Sequence, residues 1–204
     1  SGDYAGASAQ AGRFRDYFPP AFLQAIRGAA FRHAFEISQA RESFKNLGLD
    51  LFPIKDGEYA KALEYYLRMR HNFRRGDYAS FILQLSPLAC AACRFYIGNF
   101  CLPRFEEVIS ATASGDCYNT VNFSRIYPET FQYMSARMGN DWHLSLLNLL
   151  TILEFCTSKD ARHRDTLAKF EWLRKIEYDL RNSVAHTMRP ISLSNLEASA
   201  KLSG

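Results

Sequence analysis

The chain has 204 residues, of which 48% are hydrophobic, 14% aromatic and 23% charged. This composition fits a globular domain that buries roughly 70% of its unfolded surface, and it excludes collagen-like and disordered classes. No apolar run approaches the roughly 20 residues that span a bilayer, and no signal-peptide pattern opens the chain. Since the five cysteines are odd in number and make no closed disulfide framework, we expect a cytoplasmic protein.

The charge pattern permits a phosphate ligand but does not identify one. The net charge of +4 is too small to hold nucleic acid by bulk electrostatics alone. Arginine outnumbers lysine by 18 to 7. The planar guanidinium of arginine can form bidentate hydrogen bonds to phosphates and can stack on exposed bases. A compositional bias of the source organism explains the excess equally well.

The N-terminal quarter reads as a tail followed by a helix. Residues 1–12 are rich in Ala, Gly and Ser without apolar periodicity, which predicts a linker or tail, and the missing initiator Met suggests an excised piece. From residue 14 to about 47, apolar residues recur at spacings of three and four, which predicts a helix that ends near Gly48. Pro53 favours an extended or turn-like segment before it.

The middle of the chain alternates helices with one irregular stretch. Residues 58–73 fit a helix that Gly76 ends, and Asp77 is well placed to cap the next helix, which begins near Tyr78. Pro87 should kink or break that helix. Residues 101–128 contain Pro103, Gly115 and Pro128, so we expect loops there, which could include a small hairpin.

The C-terminal part predicts two further helices. Residues 142–155 are apolar around most of the circumference, as in the middle of a bundle. A last long helix starts at Asp165, carries an apolar stripe through Leu180 and Val184, and stops at Pro190. With no alternating strand pattern of useful length, the fold class is all-α, an irregular helical bundle over residues 13–204.

The candidate catalytic residues are Arg181, Asn182 and His186, near the end of that last helix. An arginine followed by a histidine after four to six residues is a weak pattern, and Arg27 with His33 and Arg137 with His143 satisfy it too. Positions 182 and 186 share a helical face, and Arg181 can reach the same side, so the three polar groups can converge. Alternatively, Arg and His near a helix C-terminus simply offset the macrodipole, although this does not explain an interior asparagine.

The stretch from Trp172 to His186, WLRKIEYDLRNSVAH, resembles the signature helix of HEPN domains, with its Arg-Asn-x-x-x-His form. Residues 61–87, with ALEYY and then RGDY leading to FILQLSP, resemble the helical half of the Csm-class ancillary ribonucleases of CRISPR type III systems. That family joins a CARF sensor of cyclic oligoadenylate to a HEPN effector. Because this chain shows no βαβ alternation, the resemblance implies the effector, with a CARF domain expected upstream in the full-length protein.

The resemblance implies a HEPN-type bundle that acts as a homodimer and cuts single-stranded RNA without a metal or cofactor. It implies that Arg181, Asn182 and His186, contributed twice, form one composite site that yields 2′,3′-cyclic phosphate and 5′-hydroxyl ends. The role would be CRISPR type III antiviral defence. A different class remains open, a non-catalytic helical dimerisation or interaction module whose motif is only a capped helix end.

Two other features have a functional and a structural interpretation. Arg68, Arg70, Arg74 and Arg75 surround aromatic positions at a helix end and could guide an RNA backbone, although a solvated helix terminus is the simpler reading. Cys90 and Cys93 form a Cys-x-x-Cys pattern, but it falls inside an apolar helical run where cysteine commonly serves as a small core residue, so no metal is expected.

Overall fold

The computed structural model describes residues 3–55, 57–113, 115–139, 141–187 and 191–203, and it leaves the side chains of residues 57, 58, 182–187, 202 and 203 undescribed. The chain divides into two compact units, residues 1–68 and 69–204. Apart from one two-stranded hairpin, the regular structure within these residues is helical, which confirms the predicted all-α class.

The first unit contains α1 (Tyr4–Arg13), α2 (Pro20–His33), α3 (Ile37–Lys45) and the beginning of α4 (Gly57–Arg74). The segment predicted as a tail or linker is therefore helical over residues 4–13, where the Asp3 carboxylate accepts a hydrogen bond from the Gly6 N–H at 2.7 Å. The single helix predicted over residues 14–47 is wrong. Phe35 has a φ of 61°, a left-handed conformation that a right-handed helix cannot continue, and it separates α2 from α3.

A buried carboxylate and a small apolar cluster hold the first unit together. Phe44 and Phe52 are buried in this cluster with residues of α3 and α4. Arg32 donates from Nε and Nη2 to the two carboxylate oxygens of the buried Glu64, at 2.6 and 2.7 Å. This bidentate geometry fixes α2 against the first half of α4.

The second unit holds the rest of α4 and all of the remaining elements. They are α5 (Tyr78–Tyr96), a π-helical turn (Ile97–Cys101), a 3₁₀ turn (Phe105–Val108), β1 (Ile109–Thr112), β2 (Gly115–Tyr118), α6 (Thr120–Ile126), α7 (Pro128–Met138), α8 (Leu146–Lys159), a 3₁₀ turn (Ala161–His163), α9 (Arg164–Thr187) and α10 (Leu193–Ser203). The strands pair antiparallel, with Ile109 opposite Tyr118, which confirms the small hairpin in the irregular stretch.

Helix α5 runs through Pro87, so of the predicted kink or break the break does not occur. Asp77 caps it as expected, accepting from the Ser80 N–H at 3.1 Å. Pro87 removes the N–H that would bond the carbonyl of Leu83, and Leu83 is 48% exposed, so water can reach that position. The loss of one helical bond is therefore tolerated.

The helical stretch 78–101 is also long and apolar enough to cross a membrane by length and composition, with a mean hydropathy of 1.4, so the sequence-based exclusion of such a run is wrong. Ile82, Leu85, Ala89 and Cys93 of this stretch are buried, and α5 packs against both α8 and α9. Inside the protein, 28% of the apolar stretch is buried.

Helix α9 lies among three neighbours, α5, α8 and α10. Ile176 and Leu180 are buried in a cluster with Ile82, Leu85 and Leu196. The indole Nε1 of Trp172 also donates to the carbonyl of Ala200 at 3.2 Å. One face of α9 is thus fixed in the core while the opposite face stays open.

Candidate active site

Arg181 lies on α9 one residue beyond the buried Leu180, and a carboxylate one turn earlier holds it. Its Nη1 donates to Oε1 of Glu177 at 3.0 Å. The Glu177 side chain is 10% exposed whereas that of Arg181 is 54% exposed. The guanidinium Nε and Nη2 make no hydrogen bond to the residues that the structure describes, so one edge of the fork can take an anionic ligand.

Asn182 and His186 lie on α9, whose backbone is helical through Thr187. Their side chains lie outside the described residues, so the convergence of the three motif side chains stays a prediction. The contact that is described takes Arg181 toward the N-terminal side of the helix, to Glu177. Glu177 was missed by the sequence analysis, although a Glu four residues before an Arg on a helix is a recognisable stabilising pair.

The competing arginine and histidine pairs have other surroundings. Arg137 belongs to α7, which ends at Met138 before Gly139 takes a positive φ of 59°, so His143 does not share its helix. The Arg137 guanidinium lies 3.5 Å from the Tyr133 ring centroid. Arg27 and His33 do share α2, where Arg27 lies over the ring of Phe31 at 5.4 Å.

The arginines proposed to guide RNA do not share one environment. Arg68 donates to the carbonyl of His33 at 3.3 Å and lies over the Phe35 ring at 5.3 Å, both within the first unit. In the second unit, Arg70, Arg74 and Arg75 are exposed near the end of α4. The structure thus gives Arg68 a local packing role and leaves the other three open to solvent.

The buried His163 lies among polar groups. The Tyr96 hydroxyl lies 2.9 Å from His163 Nδ1, and Asp160 Oδ2 lies 4.0 Å from Nε2. Hydrogen bonds from the side chain and backbone of Arg162 lower the pKa of Asp160 to about 2, so it is a carboxylate at neutral pH. The cluster joins the turn before α9 to α5.

Of the five cysteines, Cys93 and Cys156 are buried and the other three are half-buried. Burial raises the pKa of Cys90 and of Cys93 in α5. The Cys101 thiol has a lowered pKa because it is hydrogen-bonded to Cys156, whose own pKa is raised by that bond and by burial. In the described part of the chain, no group of three His, Cys, Asp or Glu side chains is placed to hold a metal ion.

Comparison with known proteins decides the family. Residues 51–204 match the family model described as the Cas_Csm6 HEPN domain. The chain belongs to the Csm6 HEPN family. The match begins before α4 and covers every later helix, and it confirms the resemblance drawn from the sequence. A Csm6 HEPN domain belongs to a CRISPR-associated nuclease family, which implies a ribonuclease acting on RNA. No curated protein matches the chain.

Proposed function

We propose that this Csm6 HEPN domain is a metal-independent endoribonuclease that cleaves single-stranded RNA at a composite site formed by two copies of the chain. Family membership supports a nuclease acting on RNA. The observation that carries the site assignment is Arg181, a half-exposed guanidinium held at one end by the buried Glu177, on the helix that also bears His186. The role of the protein would be in CRISPR type III antiviral defence.

The reaction is an internal transesterification. The 2′-oxygen attacks the adjacent phosphorus and forms a P–O2′ bond, while the P–O5′ bond breaks. The proton of the 2′-hydroxyl leaves with a base, and the departing 5′-oxygen takes up a proton. The products carry a 2′,3′-cyclic phosphate and a 5′-hydroxyl, so water and metal enter no bond-forming step.

Each motif residue has a role suited to its chemistry. The planar fork of Arg181 binds the scissile phosphate and stabilises the charge that develops on its non-bridging oxygens. His186 carries a proton to or from the reacting oxygens, since imidazole titrates near neutral pH. Asn182 orients His186 or bonds the substrate.

The first experiment compares cleavage of a labelled single-stranded RNA by the parent chain and by His186→Ala. We expect cleavage to fall at least about 100-fold, as for the loss of a general acid or base. His143→Ala is the matched control, because its histidine follows Arg137 at a similar spacing but not on the same helix. Equal cleavage by His186→Ala and the parent, with equal melting curves, would leave the non-catalytic interaction module as the better account.

Two further measurements test the mechanism and the composite site. An RNA with a single 2′-deoxy substitution at the cut position should resist cleavage there, and activity should persist in EDTA. Light scattering should show a dimer at the concentration where cleavage occurs. Activity that depends on added divalent metal contradicts the metal-independent mechanism, and activity that comes from a monomer contradicts the composite site.

We further propose that a CARF domain sensing cyclic oligoadenylate controls this site in the full-length protein.

A further inference from the structure

The exposed face of α9 carries a stripe of side chains that leads to the proposed catalytic Arg181. Arg174, Tyr178 and Arg181 follow one another at spacings of four and three. On a regular helix these positions fall within about 60° of arc and span about 10 Å along the axis. Tyr178 is 60% exposed and Arg181 has a 54% exposed side chain, so an aromatic ring lies between two guanidinium groups on a solvent-facing surface.

The stripe borders a groove between α8 and α9 with a volume of about 410 Å³. Leu150, which is 6% exposed, and Leu147, which is 50% exposed, form its apolar part, and Arg174 and Tyr178 line the α9 side. This groove is suited to a flat aromatic ligand, because such a ligand can stack on the Tyr178 ring and bury apolar surface against the two leucines.

The charges that line the groove cancel, so no net positive charge draws a phosphate inside it. Glu154 and Glu171 line it together with Arg174 and Lys175. Glu154 Oε2 also lies 3.9 Å from Nε of Arg137, whereas Glu171 has no such ion pair in the described part of the chain. Carboxylates repel phosphate but accept hydrogen bonds from the exocyclic amino group of a base such as cytosine. Arg174 forms no ion pair with any residue in the described part of the chain, so its guanidinium is available for a phosphate at the rim.

We propose that this groove is a nucleotide subsite of the single-stranded RNA substrate, in which Tyr178 stacks on a base and Arg174 binds the phosphate next to it. The inference rests on the proposed function, because Arg181 at the end of the stripe would bind the scissile phosphate. Tyr178 and Arg174 are positioning residues. They hold the strand along α9, on which position 182 follows Tyr178 at a spacing of four.

The test measures binding of a fluorescent single-stranded RNA with 2′-O-methyl groups, which cannot be cleaved, by anisotropy. Removing one stacked base costs about 1–3 kcal/mol, so Tyr178→Ala should weaken binding about 5- to 150-fold while Tyr178→Phe stays close to the parent. Tyr17→Ala is the control, since Tyr17 is 83% exposed and lies outside the matched residues 51–204. In cleavage assays Tyr178→Ala should raise KM more than it lowers kcat.

The salt dependence of binding tests Arg174. Each phosphate contact contributes about 0.7 to the slope of log affinity against log salt for a single strand, so Arg174→Gln should lower the slope by about that amount. Lys169→Gln should leave it unchanged, because Lys169 lies about 140° around the same helix from Arg174 and pairs with Asp165 at 2.6 Å.

The outcomes separate this inference from the proposed function. If His186→Ala abolishes cleavage but Tyr178→Ala binds RNA like the parent, the subsite is wrong and the nuclease stands. If Tyr178→Ala converts a dimer to a monomer in light scattering, the groove is a contact between copies and the subsite is overturned. If the parent binds RNA through Tyr178 but cleaves none, the subsite stands and the nuclease fails.

Discussion

The ion pair between Glu177 and Arg181 makes a sharp prediction, because its two members differ so much in burial. Arg181→Ala removes the cation and leaves a carboxylate whose residue is only 8% exposed. An unsatisfied buried polar group costs about 1–3 kcal/mol, whereas the attraction lost from a half-exposed arginine is worth at most about 1 kcal/mol. We expect a loss of about 2 kcal/mol in the free energy of unfolding.

A second substitution should recover part of that loss. In Glu177→Gln/Arg181→Ala the charge is gone, and a neutral amide is cheaper to bury than an unpaired carboxylate. The double variant should therefore be more stable than Arg181→Ala by about 1 kcal/mol while remaining inactive on RNA. The pair of variants separates the structural role of Arg181 from its proposed role at the phosphate.

Thermal and urea unfolding at neutral pH measure these differences. For a chain of this length, 2 kcal/mol corresponds to a Tm lowered by about 4–8 °C. Lys169→Ala is the matched control, because Lys169 and Asp165 form an ion pair at the same spacing on the same helix with side chains 72% and 80% exposed. Its effect should stay below about 0.5 kcal/mol. Equal losses in Arg181→Ala and Lys169→Ala, or no recovery in the double variant, would show that Glu177 does not need Arg181 as a partner.

Three further predictions concern stability and reactivity. Arg162 lowers the pKa of Asp160 from 3.8 to about 2. The Asp160 carboxylate therefore stabilises the fold above pH 3.8, and that stabilisation is lost as pH falls through about 2. The unfolding curves of Asp160→Asn and the parent should converge across this pH window. Leu149 is fully buried, so Leu149→Ala should lower the free energy of urea unfolding by about 2–5 kcal/mol, whereas Leu83→Ala, at a 48% exposed position, should lower it by less than about 1 kcal/mol. Burial raises the pKa of Cys93, so mass spectrometry should find it unalkylated by iodoacetamide in the folded protein and modified in urea.

Each of these has an outcome that contradicts it. A constant difference between Asp160→Asn and the parent from neutral pH to pH 2 would remove Asp160 from the acid response. Equal destabilisation by Leu149→Ala and Leu83→Ala would place the core elsewhere. Alkylation of Cys93 at the same rate with and without urea would show that this part of α5 is open.

Much of the fold was readable from local pattern. Apolar spacings of three and four predicted α4 and α9 close to their bounds, and Asp77 was identified as a cap because its side chain bonds a nearby N–H. The turn at Phe35 was not predictable, since an aromatic residue rarely takes a positive φ and its ring is stacked against Tyr65 from another helix. Pro87 was predicted to kink or break α5, and the helix does not break there because Leu83, whose carbonyl loses its helical partner, is exposed to water.

Local pattern was enough to predict which helix carries the motif and that Arg181 lies near its end, because helical periodicity and the Arg-Asn-x-x-x-His spacing are local properties of the chain. The burial of Glu177 and the exposure of Tyr178 and Arg181 were seen first in the folded chain. The burial of a side chain on α9 depends on α5, α8 and α10, which reach it from distant parts of the chain. The spacing of residues along the sequence predicts which of them share a helix, but packing by other helices determines which of them stay in contact with solvent.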